Sequence, residues 1–436
     1  LARKVFSAQT VRVGELRDGG YCSVESDPKL CVYGALPGEQ VTAMPFSKRK
    51  RKIFAHTQEV HEANPHRVVP PCSVADICGG CSLQHMEPAQ QIATKQALVA
   101  KTFTSLDPEL TPLEWFSPLQ GDVSGYRAKA RLGVKYVEKK QKVLVGFREK
   151  HKPYIVETEQ CHVLKAPVGN LLQPLAELIE GLSIPRQIPQ IEVAIGETDT
   201  ALVFRHLEPL SDTDKAAMVQ FAQEQQVQIY LQADAPENIE KLFPNDGEKY
   251  LHYELPAFGL RFDFTAMDFT QVNPSINQLM IERALTLLQL QPEDRVLDAF
   301  CGIGNFSLPL ARTAAQVIGI EASEQSVIRA RHNALQNDLN NCVFIAQDLF
   351  AEPLEISGLQ EVNKVLLDPP RSGAESLCKK LASHKVERVV YVSCNPVSLA
   401  RDANILVANG YKFEGAGVID MFPHTTHVES IASFSA

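Results

Sequence analysis

The chain has 436 residues, 44% apolar and 22% charged, with a formal net charge of −9. That length exceeds what one hydrophobic core organises, so two or three domains are expected, and no apolar run approaches the roughly 20 residues of a membrane-spanning helix. Leu1-Ala2-Arg3-Lys4 opens the chain without a signal-peptide apolar region, so a cytoplasmic protein without membrane contact is expected.

Residues 1–63 read as a small β-barrel. Val11-Arg12-Val13 and Val41-Thr42-Ala43 are short β-prone pieces, separated by turn signals at Asp18-Gly19-Gly20 and Leu36-Pro37-Gly38-Glu39. The basic run Lys48-Arg49-Lys50-Arg51-Lys52 is expected to cap it. Residues 65–71 are proline-spotted and read as a linker, and 87–103 as a helix. Residues 128–147 alternate polar and apolar around a Lys-rich turn, a hairpin pattern. Between Gly125 and Lys152 stand ten Lys or Arg against two Glu, a distribution suited to holding a polyanion or simply to a solvated strand face. Helices are expected at 171–182 and 212–224, with strands at 191–193 and 201–204 between them.

After Phe269 the pattern becomes regular α/β alternation: a helix at 276–290, strands at 295–297, 317–320, near 343, at 364–367 and at 388–392, and a last strand at 430–434. This predicts a doubly wound, mostly parallel sheet, whose ligands bind at the C-terminal ends of the strands.

Four features of that region carry chemistry. Asp298-Ala299-Phe300-Cys301-Gly302-Ile303-Gly304-Asn305-Phe306 is a strand, a glycine-rich turn and a helix start, and Glu321 ends the next strand, where it can accept both ribose hydroxyls. A dinucleotide site calls for a third glycine, which is missing, so S-adenosylmethionine is preferred over NAD. Asp368-Pro369-Pro370-Arg371 closes another strand, with the prolines holding Asp368 toward the crevice. Val392-Ser393-Cys394-Asn395-Pro396 sets a cysteine at a strand end, where a buried structural cysteine is the ordinary alternative. Glu429 begins the last strand and could reach the opposite face of a ring held by that thiol. One thiolate and one carboxylate suffice to methylate carbon 5 of uracil. Separately, ten cysteines in a cytosolic-looking chain are not expected to form disulfides. Cys72, Cys78 and Cys81 form a C-x5-C-x2-C group, with Cys161 far downstream.

Together with Phe269-Thr270-Gln271-Val272-Asn273 and Met421-Phe422-Pro423-His424-Thr425, these motifs resemble the RNA uridine-C5 methyltransferases, in particular the type acting on 23S ribosomal RNA. The resemblance covers nearly the whole chain. It implies an RNA-binding TRAM barrel of oligonucleotide-barrel type at 1–63, a central α+β domain at 64–265, and a Rossmann-like methyltransferase domain at 266–436, with 85–115 packed on the last. It implies a [4Fe–4S] cluster on Cys72, Cys78, Cys81 and Cys161, where spacing alone allows zinc equally. Cys394 carries over as nucleophile and Glu429 as base. Gln271, Phe300, Asn305, Glu321, Asp348 and Asp368 fall on positions lining the S-adenosylmethionine and uracil sites. Phe269 is expected against the target base and Arg131 against RNA. A monomer is expected. Three alternatives compete: the same chemistry on another rRNA or a tRNA uridine, a non-catalytic iron–sulfur RNA-binding factor, and an adenine-N6 methyltransferase. The last gives Cys394 and Glu429 no role.

Overall fold

The computed structural model describes residues 7–17, 19–233, 238–245, 247 and 250–436; residues 1–4 and Asp18 of the expected turn lie outside them. Five strands, β1 (Gln9–Leu16), β2 (Tyr21–Val24), β3 (Leu30–Tyr33), β4 (Gln40–Arg49) and β5 (Lys52–Glu62), close into a barrel in the order β1-β2-β3-β5-β4. Val13, Cys22, Val24, Val32, Val41 and Ala55 fill it. Two of its strands are long. β4 and β5 run 10 and 11 residues; burial alternates along β4 as far as Pro45, whereas β5, paired to it with three register shifts, has no regular alternation. The basic run does not cap the barrel. It forms the β4–β5 turn, with Arg49 paired to Lys52 and Lys50 in the left-handed region at φ 53°.

The proline-spotted stretch is fastened to the barrel. Arg67 donates to both oxygens of the buried Glu39 at 2.6 Å and to the Gly34 carbonyl at 2.8 Å. Helix α1 (Pro88–Leu106) starts with proline at its first position, where the missing N–H costs nothing. Its buried residues Gln91, Ile92, Lys95, Val99 and Phe103 recur every three or four positions, and this face packs on the C-terminal sheet. Strand β6 (Glu114–Trp115) joins that sheet directly.

The central part is a six-stranded sheet ordered β12-β11-β10-β9-β7-β8, from β7 (Lys129–Val137), β8 (Lys142–Gly146), β9 (Gln190–Ile195), β10 (Thr200–Arg205), β11 (Gln228–Gln232) and β12 (Ile239–Phe243). Helices α2 (Leu172–Glu180) and α3 (Asp212–Gln225) bury Leu175, Ile179, Met218 and Phe221 in its core. The expected 128–147 hairpin is β7–β8. A separate hairpin, β13 (Leu251–Leu255) and β14 (Leu260–Phe264), leads to α4 (Pro274–Leu288).

The C-terminal sheet has eight strands in the order β17-β16-β15-β18-β19-β21-β20-β6. Strands β15 (Arg295–Ala299), β16 (Gln316–Glu321), β17 (Cys342–Ala346), β18 (Lys364–Leu367) and β19 (Arg388–Ser393) run parallel, linked through helices α5 (Ser307–Ala311), α6 (Glu324–Gln336) and α7 (Glu375–His384). Helix α8 (Pro396–Ala408) then leads to β20 (Lys412–Ile419), and β21 (Glu429–Ser435) inserts antiparallel between β19 and β20. Chain order reverses between β15 and β18, which opens a crevice above their C-terminal ends.

Candidate active site

Register brings the two expected reacting groups together. Strand β19 pairs β21 from Arg388↔Ser435 to Ser393↔Ser430, so one step further puts Cys394 opposite Glu429. Residues opposite one another in an antiparallel pair project to the same face, with Cβ atoms about 5 Å apart. The β19–α8 turn is fixed around them. Asn395 caps α8 by accepting from the Val397 N–H at 3.1 Å, Ser393 Oγ accepts from the Asn395 N–H at 3.1 Å, and Ser430 Oγ donates to the Ser393 carbonyl at 3.2 Å.

Electrostatics join four side chains here. Burial holds Glu429 well above the usual carboxylate range, the charge of Asp368 pushes it further, and Arg371 opposes both. Burial alone raises Asp368 to about 7. The Cys394 thiol is pushed up to about 11, first by burial, then by Glu429 and Asp368, with Arg371 pulling the other way. Glu429, Asp368 and Arg371 all act on the Cys394 thiol, and the cation favours the charged forms of Cys394 and Glu429.

Beside them lies the glycine-rich turn. Asp298 is fully buried and raised to about 7, chiefly by burial; Ser307 Oγ donates to its Oδ2 at 2.5 Å, and its Oδ1 has no hydrogen-bond partner. The Glu321 carboxylate accepts from the backbone N–H of Gly302 at 3.3 Å and of Ser323 at 2.9 Å. Phe300, at φ 67°, lies 5.6 Å from Phe350, and Asp348 accepts from the Phe350 N–H at 2.8 Å. The two glycines serve different ends. A Cβ on Gly302, at φ 55°, meets open space, whereas one on Gly304 would stand 2.6 Å from Leu308 in the core. Only Gly302 therefore leaves room for a ligand. The buried Asp298 with its orphaned oxygen and the half-buried Glu321, beside an open turn, suit a cationic, amine-bearing ligand and repel a diphosphate.

Asn305 exchanges hydrogen bonds with Asn277 at 2.9 Å each way and accepts from Tyr253 at 3.0 Å, which ties the turn to α4 and the β13–β14 hairpin. Gln271 is half-buried two residues before Asn273, the cap of α4, and Phe269 is exposed. Arg131 pairs with Glu192 across β7 and β9 while staying largely solvent-exposed. Arg371 and Phe350 join the site without a role expected from their sequence motifs. Arg371 stands inside the quoted Asp-Pro-Pro-Arg motif and Phe350 two residues past Asp348, so adjacency was the available signal.

The other four expected cysteines line a single cavity, with Phe147, Val156 and Leu172 among its walls. Among the described residues, no group of three or more His, Cys, Asp or Glu is close enough to hold one metal ion. A single tetrahedral ion needs sulfurs at about 2.3 Å from its centre, so thiols spread around a cavity match a larger polynuclear group better. Backbone N–H groups reach the sulfurs: Gly80 donates to Cys78 at 3.4 Å, and Val163 and Leu164 to Cys161. Burial raises the thiols of Cys78, Cys81 and Cys161.

The family model described as tRNA (uracil-5-)-methyltransferase matches residues 87–434. The 23S rRNA (uracil(1939)-C(5))-methyltransferase RlmD of Alcanivorax borkumensis is 46% identical over 408 residues, covering 92% of this chain and 90% of that protein. The protein of the same name from Hahella chejuensis is 44% identical, covering 96% and 94%. In fold, the tRNA (uracil-54, C5)-methyltransferase of Pyrococcus abyssi, solved with S-adenosyl-L-homocysteine, superposes with a TM-score of 0.76 over 98% of this chain and 100% of that one, at 22% identity. The chain belongs to the tRNA (uracil-5-)-methyltransferase family.

Proposed function

We propose that this protein uses S-adenosylmethionine to methylate carbon 5 of a uridine in 23S ribosomal RNA. The observation that carries the reading is the β19–β21 register, which sets Cys394 across from Glu429 with Asp368 and Arg371 acting on both. The substrate follows from relatives at 44–47% identity that are named for that activity.

Cys394, as thiolate, bonds carbon 6 of the uracil, and the displaced π electrons leave carbon 5 nucleophilic. Glu321, Asp298, Phe300, Asp348 and Gln271, with Asp368 facing it, would hold S-adenosylmethionine, which would supply an electrophilic methyl group; carbon 5 takes that group, and S-adenosylhomocysteine is the leaving group. Glu429 then takes the carbon 5 proton. Those C–H electrons re-form the C5–C6 double bond, the C6–S pair returns to Cys394, and 5-methyluridine leaves. Arg371 favours both the thiolate and the carboxylate. Asn305 holds the turn, and Phe269, exposed before Gln271, is placed to meet the extruded base.

Cys72, Cys78, Cys81 and Cys161 would hold a [4Fe–4S] cluster, supported by their common cavity and by the N–H groups aimed at their sulfurs. The barrel is read as the TRAM module and, with Arg131, as RNA-binding. Residues 1–63, 64–265 and 266–436 are taken as the three domains, with 85–115 on the last. The protein is read as a cytoplasmic monomer.

Mapping 5-methyluridine across ribosomal and transfer RNA in a strain lacking this gene tests the substrate. Loss at a single 23S site, restored by the intact gene and not by Cys394→Ala, is expected. Loss confined to tRNA, or no loss at all, overturns it.

A further inference from the structure

The loop before Glu429 is held from outside the catalytic sheet. His424 is buried and sits at φ +65°, a left-handed conformation rare for a residue with a side chain. Such backbone persists only where its surroundings over-determine it. Here they do. The Gln91 side-chain carbonyl, from α1, accepts from the His424 N–H at 2.8 Å, and its amide nitrogen lies 3.1 Å from His424 Nδ1. The same nitrogen donates to the carbonyls of Leu83 at 3.0 Å and Met86 at 2.8 Å. The His424 carbonyl accepts from the backbone N–H groups of both Ser82 and Leu83, at 2.8 and 2.9 Å. Ser82 Oγ accepts from the Thr426 N–H at 3.1 Å, and Tyr126 donates to the Pro423 carbonyl at 3.0 Å. The barrel abuts the same place, since a Cβ on Gly20 would lie 3.0 Å from Ser82 and 3.8 Å from Thr426. Ser82 directly follows Cys81 of the cysteine cavity.

These bonds tie a mostly buried loop to α1 and to the segment that follows Cys81. The loop runs straight into Glu429, five residues after His424, and fixes where β21 begins. A general base must lie within about 3 Å of its proton in the reacting complex, so the segment that aims it affects proton removal more than substrate binding.

We infer that Gln91 and Ser82 are positioning residues for Glu429: acting through His424 and Thr426, they hold the base over carbon 5. The inference rests on the proposed reaction. It predicts a particular intermediate. If the base is misplaced after methyl transfer, carbon 5 keeps its proton, the C6–S bond cannot break, and methylated RNA stays attached to Cys394.

The test uses the full chain, S-adenosylmethionine and a uridine-containing 23S rRNA fragment, with Glu429→Gln, Gln91→Leu and Ser82→Ala compared on denaturing gels. Glu429→Gln should accumulate the covalent RNA adduct. Gln91→Leu should do the same to a lesser extent, with turnover down about tenfold or more and the RNA KM within about twofold. Ser82→Ala, which leaves the backbone bonds intact and is the variant least exposed to misfolding, should show a smaller build-up. Adduct in Glu429→Gln but none above wild type in either other variant overturns the inference alone. Absence of adduct in Glu429→Gln as well overturns the reaction on which it rests.

Discussion

Two cysteine settings show how differently one residue type is used. Cys78, Cys81 and Cys161 line a cavity with Cys72, and backbone N–H groups reach the sulfurs of Cys78 and Cys161. Cys394 stands alone beside two carboxylates and a guanidinium. In both places burial raises the thiol, so burial alone does not separate a ligand from a nucleophile. What faces the sulfur does. Thiols gathered around one cavity can share a metal group, whereas a thiol set across a strand pair from a carboxylate has a general base beside it.

Cys394→Ala should break the comparison most sharply. Methylation is expected to fall by on the order of 10³-fold or more, with iron content and melting temperature unchanged. Cys161→Ala should do the reverse: anaerobically purified protein loses its brown colour and iron and melts earlier, while Cys394 keeps its surroundings. If Cys161→Ala left colour and iron intact, or the wild type were colourless with stoichiometric zinc, the cluster reading would fail.

Next in size is the buried ion pair between α1 and the catalytic loop. Lys95 Nζ donates to Asp420 at 2.7 Å and to the Phe422 carbonyl at 3.0 Å, with both charged side chains 3% exposed. Lys95→Met strands the carboxylate and should cost about 3–5 kcal/mol in denaturant unfolding. A change under about 1 kcal/mol would show that α1 is not part of the catalytic unit.

A smaller effect sharpens the donor pocket. Asp298 rises from the ordinary 3.8 to about 7 because it is buried, so the folded state holds its proton more tightly than the unfolded chain does. Stability linked to it is therefore complete below pH 4 and is lost as pH climbs through about 7. Asp298→Asn should match wild type near pH 4 and be more stable by roughly 2–4 kcal/mol at pH 8. S-adenosylmethionine should bind it less tightly. Equal stability at both pH values would mean that the carboxylate is not held uncharged by the fold.

The sequence made some of this legible and hid the rest for physical reasons. Strands β15, β16, β18 and β19 are buried on both faces and read as apolar runs, so the residues at their ends, Glu321, Asp368 and Cys394, could be placed over one crevice. That β21 runs antiparallel, and so sets Glu429 against Cys394, is a matter of register, which no local pattern encodes. The barrel is less legible because β5, paired to β4 with three register shifts, lacks regular alternation. The stretch at 65–71 looked like a loose connection, since its anchor, Arg67 on Glu39, spans 28 positions. Gln91 and Lys95 carry no local sign of burial, since His424 and Asp420, which they meet, lie more than 300 positions away.

The central claim is that Cys394 bonds the pyrimidine while Glu429 stands ready for the proton on carbon 5. Replacing the target uridine with 5-fluorouridine tests it most directly, because fluorine cannot leave as a proton. Wild-type protein with S-adenosylmethionine should form a denaturation-resistant RNA complex whose cross-linked peptide carries Cys394. A complex mapped to another cysteine, or none from protein that methylates the unmodified RNA, would contradict the account.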